Sequence, residues 1–200
     1  TYQRVVRYFP NAMIAHIIKI DTKTKGIQFL ITPADSKSET PLNARTTSQF
    51  LDEFGLQIAI NGDGFTPWWS RGPADYYPHA GDPVAPLGFT ASNGDDYWQG
   101  VELEQGERPT LYISRRNAFS FNDKPNKVYN AISGDRMIVL QGQPVAGLDD
   151  SELNPRTAIG LNRNGRYVYL IVVDGRQPFY SAGITFADLA QLLIDYDVYA

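Results

Sequence analysis

Cysteine is absent from all 200 residues, which removes disulfides, thiolate metal sites and a cysteine nucleophile, while leaving the choice between a cytoplasm and a bacterial exterior open. Histidine is scarce too. The two present, His16 and His79, do not have the spacing of a zinc site, so a zinc centre of the usual kind is not expected, whereas oxygen ligation of calcium or magnesium stays open. The chain has no basic excess: 18 Lys and Arg are dispersed among 22 Asp and Glu, for a net charge of -4. Nucleic-acid binders carry a clustered basic face, so no nucleic-acid partner is expected. No apolar run approaches the roughly 20 residues that span a bilayer, and Thr1 opens no charged-then-apolar signal pattern, so no membrane span is expected.

What is present is apolar and aromatic. With 42% hydrophobic and 12% aromatic residues, the chain can bury one substantial core or at most two small ones, and residues 1–200 are expected to form one domain. Short β-type runs dominate: Ala12 to Asp21, Ile27 to Thr32, Leu56 to Ile60, Thr110 to Ser114, Arg136 to Gln141, and the pair flanking Asn164-Gly165. That last dipeptide predicts a tight hairpin, because Asn and Gly tolerate positive φ. Its second strand, Val168 to Val173, is apolar at nearly every position, which predicts a central strand covered on both faces. Two helices are expected, one opened by a Thr46 and Gln49 capping box and closed by Gly55, the other opened by Thr185 and Asp188 with an Ile184 and Leu189 staple. From Phe65 to Gln105, prolines, glycines and aromatics break any regular period, and ordered loops are expected. The fold class is therefore α+β: sheet-rich, mixed or mostly antiparallel, packed with a few helices.

Candidate chemistry clusters where strands end. After Leu56 to Ile60, the turn Asn61-Gly62-Asp63-Gly64 offers an amide and a carboxylate that can orient a hydroxyl, activate water or ligate a hard cation; equally, these are good turn residues. Arg156, in Asn154-Pro155-Arg156-Thr157, presents a planar fork suited to phosphate, or can pair with a carboxylate to fix a loop. Asp174 and Arg176 follow the apolar strand and can wall a site or pair with each other. Thr185 is explained as a helix N-cap. Trp68, Trp69, Tyr76, Tyr77, Tyr97 and Trp98 present flat faces that either stack on sugar rings or anchor loops to a core. His79 can act as acid, base or ligand, and His16, inside an apolar run, has the weaker case.

Read in order, Ile60-Asn61-Gly62, Ala131-Ile132-Ser133-Gly134, Pro155-Arg156-Thr157-Ala158-Ile159-Gly160, Val173-Asp174-Gly175-Arg176 and Ser181-x-Gly183-x-Thr185 resemble the phosphodiester glycosidase family. The resemblance implies a hydrolase of sugar-1-phosphodiester or related glycosidic linkages in surface or extracellular glycans, and a secreted or extracytoplasmic location. It implies catalytic roles for Asn61, Asp63 and Asp174, and substrate contacts from Arg156, Thr157, Arg176, Ser181, Thr185, Trp68 and Trp69. A carbohydrate or sugar-phosphate partner follows from it; a non-catalytic glycan- or phosphoglycan-binding domain is the alternative. Arg156 and Arg176 are expected to face one cleft with Asn61 and Asp174. Family members usually continue past the last helix into a strand and a glycine-rich segment. Val198 and Tyr199 favour β-structure, and the strand and glycine-rich segment are expected either to come from a separate C-terminal fragment or to have been lost by truncation.

Overall fold

The computed structural model describes residues 1–101, 108–177 and 179–200. The chain opens with strands β1 (Tyr2–Arg7) and β2 (Met13–Asp21). Next come β3 (Leu42–Asn43), α1 (Thr47–Glu53), β4 (Phe65–Thr66), β5 (Trp69–Gly72), β6 (Asp75–Tyr77), β7 (Pro83–Pro86), β8 (Thr90–Ser92) and β9 (Asp95–Trp98). They are followed by β10 (Thr110–Ile113), β11 (Phe119–Phe121) and β12 (Asn130–Ser133). The last part carries β13 (Val139–Leu140), β14 (Gln143–Pro144), β15 (Arg156–Leu161), β16 (Tyr167–Val173) and α2 (Phe186–Asp195). The fold is sheet-rich α+β, and the strand pairings among the described residues are antiparallel. It divides into two compact units, one made of Thr1–Ile27 with Met137–Ala200, the other of Gln28–Arg136.

The terminal unit is built on a four-stranded sheet in the order β1-β2-β16-β15, so the apolar β16 is central, as its composition requires. Side chains alternate between the two faces of a strand. Met13, Ala15 and Ile17 of β2 and Tyr169, Ile171 and Val173 of β16 form one core with Ile184, Leu189, Ala190, Leu193 and Val198 on the helix side of the sheet. Each fully buried Ile or Leu there contributes about 1.5–3 kcal/mol. On the opposite face Leu170 and Val172 are only half-buried. Thr185 caps α2 by accepting the Asp188 amide at 3.0 Å. Gly160 has a packing reason: a Cβ there would stand 2.6 Å from a Val198 methyl. The Tyr199 amide donates to Leu161 O at 2.7 Å, and the Leu161 amide donates to Ala200 O at 2.7 Å.

The hairpin of β15 and β16 forms at the expected place by a different turn. The Gly165 amide closes on Asn162 O at 2.9 Å, and Gly165 takes φ 66° while Asn164 is not among the positive-φ residues. The paired positive φ expected there occurs instead at Asn93-Gly94 (53° and 92°), between β8 and β9, and at Gln141-Gly142 (54° and 74°), between β13 and β14.

The middle unit holds a five-stranded sheet, β11-β10-β12-β8-β9, with Ala91, Tyr112 and Ala131 at its centre and Phe89 and Val128 packed against them. Alongside it are a three-stranded sheet, β3-β7-β4, and the β5-β6 hairpin. The stretch from Phe65 is thus a series of two- to four-residue strands rather than the irregular loops expected; strands so short complete no alternating period. Its last part, Glu102 to Gln105, lies outside the described residues. Two expected strands are not strands. Along Ile27 to Thr32, backbone carbonyls are taken by side chains: Phe29 O by Asn130 Nδ2 (2.7 Å), Ile31 O by Ser92 Oγ (2.7 Å) and Thr32 O by Tyr97 Oη (2.7 Å). Leu56 to Ile60 joins no ladder either, and the Leu56 amide is spent on Leu51 O at the end of α1. The run Arg136 to Gln141 shrinks to Val139–Leu140. Helix α1 has both halves of its capping box. No described helix is long and apolar enough to cross a membrane.

Candidate functional site

In the terminal unit the strand ends at residues 154–157 and 174–176 and the segment 181–185 before α2 are knitted together by backbone contacts. Asn154 and Ile184 exchange amide-to-carbonyl bonds of 3.3 and 3.0 Å. Gly183 lies against the Asn154 backbone with φ 115°, where a Cβ would come within 2.6 Å of it, so only glycine fits. Gly175 approaches Pro155 just as closely. Arg176, itself at φ 58°, donates its amide to Ala182 O (3.3 Å) and Nη2 to Asn154 Oδ1 (3.2 Å).

Ser181 sits inside this knot. Asp174 continues the β2 ladder by donating its amide to Ile14 O at 3.0 Å. The return bond of that pair is interrupted by a hydroxyl: Ile14 N–H donates to Ser181 Oγ (3.0 Å), and Ser181 donates to Asp174 O (2.6 Å). Ser181 is fully buried, so its hydroxyl sets the separation of the strand ends and the position of Asp174. Thr185 is also buried, its hydroxyl engaged as the cap.

The Asp174 carboxylate remains half-exposed, at 27%, with Oδ2 3.4 Å from His16 Nε2. Cross-strand register explains the meeting: Thr157, Val172 and His16 lie in one row across β15, β16 and β2, on the face away from α2. Arg156 pairs with Val173 in the neighbouring row and points to the helix side, its guanidinium 3.6 Å from the Phe186 ring centroid. The expectation that Arg156 and Asp174 share a cleft is therefore corrected: they leave the sheet on opposite faces, because adjacent positions of a strand must. Thr157 and Asp174 share a face. The Asp149 carboxyl is held below its usual range first by the Ser151 hydroxyl, with smaller help from backbone amides and Arg156.

In the middle unit, the Asn61-Gly62-Asp63-Gly64 turn exposes Asn61 and buries Asp63, whose side chain is 3% exposed. Asp63 Oδ1 accepts from the Gly64 amide (2.7 Å) and Arg108 Nη2 (2.7 Å), and Oδ2 accepts from the Gly88 amide (2.6 Å). Burial pushes the carboxyl above its ordinary range, opposed by Arg108 and the two amides. A carboxylate ringed by N–H donors and a guanidinium is no place for a cation, so Asp63 is not an oxygen ligand for calcium or magnesium. Among the described residues no group of three or more His, Asp or Glu is disposed to hold a metal.

The aromatic cluster divides into two uses. Tyr97 and Trp98 are anchors, donating to Thr32 O (2.7 Å) and Pro86 O (2.6 Å). Trp68 is 66% exposed and Trp69 39%. Trp69 stacks on its cross-strand partner Tyr77, with centroids 6.1 Å apart, and Arg71 lies 4.8 Å over its ring. Beyond them Tyr76 packs on His79 at 4.5 Å. Sequence reasoning did not anticipate the contacts of His16 with Asp174 and Tyr2, or that of Arg108 with Asp63. The available signal for His16 was an imidazole on a regular face of an apolar strand.

The terminal unit is thus an antiparallel framework that presents an acid and an arginine on glycine-pinned strand ends. The phosphodiester glycosidase family model matches residues 54–200, and the chain belongs to that family of hydrolases. No curated protein matches it. A solved structure, a hypothetical protein from Synechocystis, shares the fold with a TM-score of 0.58 at 13% sequence identity. The alignment covers 99% of this chain and 54% of that one, so the chain spans about half the length of its structural relative.

Proposed function

We propose that the protein hydrolyses the glycosidic bond of a sugar-1-phosphodiester, or a related linkage, in surface or extracellular glycans, at a secreted or extracytoplasmic location. The observation that carries this reading is Asp174: a half-exposed carboxylate just past the end of the central strand, its backbone held by the Ser181 bridge, with Arg176 two residues on. In the reaction the C1–O bond breaks, water gives its hydroxyl to C1, and its proton ends on the departing phosphate monoester. A phosphate monoester is a good leaving group, so acid assistance gains little and Asp174 serves as the base that takes the proton from water. Arg176 is assigned to the phosphate, since a guanidinium keeps its charge and has donors beyond the one given to Asn154. Thr157, on the Asp174 face, is assigned a substrate contact. Ser181, Thr185 and Arg156 hold the walls around Asp174. In the middle unit, taken by itself, Asp63 holds the turn that presents Asn61, and Asn61, Trp68 and Trp69 are assigned to sugar hydroxyls and ring faces there.

The exposed Trp68 and Trp69 favour a second reading, glycan binding without turnover. Incubation with a panel of hexose-1-phosphate methyl esters, assayed for reducing sugar, separates the two. Hydrolysis predicts product, and a loss of about 10²–10⁴-fold in Asp174→Asn with binding kept. Saturable binding with no product, weakened by Trp69→Ala, establishes the binding domain instead.

A further inference from the structure

His16 and Tyr2 lie in residues 1–53, outside the span matched by the family model. Strand β1 places Arg4 opposite His16, and β16 places Val172 on its other side. On the same face as Asp174, the imidazole spans two groups: Nε2 stands 3.4 Å from Asp174 Oδ2, and Nδ1 stands 2.8 Å from the Tyr2 hydroxyl. The rings of Tyr2 and His16 also stack, with centroids 6.0 Å apart and planes 13° from parallel. At 32% exposure for His16 and 27% for Asp174, both side chains remain open to solvent. Arg4, exposed on the same row, adds a positive charge beside the pair.

We propose that His16 is a positioning residue for Asp174, its Nε2–H holding one carboxylate oxygen so that the other is aimed at the reacting water, with Tyr2 fixing the imidazole tautomer. The hydroxyl is what makes the arrangement durable. Against a neutral ring Tyr2 donates to bare Nδ1, which leaves the proton on Nε2 facing Asp174. Against a protonated ring the same hydroxyl accepts from Nδ1–H, and the contact to Asp174 is unchanged. A carboxylate held by one oxygen through an oriented imidazole loses rotational freedom about its terminal torsion, and such orientation is a large part of what a catalytic base needs.

This inference rests on the reading of Asp174 as the base, and two measurements keep the two apart. The chain has two histidines, so His79→Gln leaves His16 as the sole imidazole for nitrogen-15 NMR. At mildly alkaline pH its Nε2 is expected to carry the proton, and Tyr2→Phe to remove that preference. An Nδ1–H ring, or a Tyr2→Phe variant with an unchanged tautomer, overturns the proposal whether or not the protein turns over substrate. With the hexose-1-phosphate methyl esters, His16→Ala is expected to lower kcat on the order of 100-fold with KM within about twofold. His16→Gln restores kcat to within about tenfold, because the glutamine amide replaces the Nε2–H donor. Equal kcat in wild type and His16→Ala, or a Gln variant no better than Ala at equal melting temperature, refutes positioning. If the wild type releases no sugar while the tautomer depends on Tyr2 as stated, the hydrolase reading fails and the His16 geometry stands.

Discussion

Replacing Ser181 with alanine tests the hydroxyl bridge on which the placement of Asp174 depends. Ser181 is fully buried, accepts the Ile14 amide at 3.0 Å and donates to Asp174 O at 2.6 Å. Removing the oxygen strands a donor and an acceptor inside the protein, each at a cost of about 1–3 kcal/mol. Partial recovery is open to the variant, since the strand ends can close toward a direct Ile14-to-Asp174 bond, so the expected loss is about 2–4 kcal/mol. For a chain of this size each kcal/mol is worth roughly 2–4 °C, which puts the fall in melting temperature at about 5–15 °C. Calorimetry measures the fall, and hydrogen exchange at the Ile14 amide reports whether this bond is the one lost. A melting temperature within about 1 °C of wild type, with Ile14 still protected, would refute the bridge.

Two other perturbations follow from the packing and the charges. Gly160→Val forces a side chain into the Val198 methyls, 2.6 Å from the Cβ position, and is expected to destabilise by about 1–3 kcal/mol in urea denaturation; a neutral result removes the stated reason for that glycine. Asp35, clasped with Glu53 around Arg45, has its carboxyl held below the usual value of 3.8 chiefly by the Arg45 guanidinium. A depressed carboxyl contributes stability above its unfolded value and loses it as pH falls through the folded one. Asp35→Asn should therefore cost about 1.5–3 kcal/mol at neutral pH, a difference that vanishes in acid; a constant difference across that range contradicts the assignment.

Local information in the sequence settled the elements whose cause is itself local. The Thr46 and Gln49 capping box, the Thr185 cap and the central placement of an all-apolar β16 depend on residues a few positions apart or on the composition of one strand. Family motifs were legible for the same reason: Gly175 and Gly183 are demanded by single close contacts at fixed chain positions. Tertiary structure decided whatever required a partner from afar. Ile27 to Thr32 reads as a strand by composition, but its carbonyls are claimed by Ser92, Tyr97 and Asn130, whose side chains arrive from 61 or more residues away. Which face each candidate occupies was likewise decided by register, which put Arg156 on the Phe186 ring and Asp174 beside His16. The physical reason is that a strand's sequence fixes the alternation of its side chains, whereas the sheet partners and the helix packed on one face decide which alternate set meets the core and which meets the chemistry.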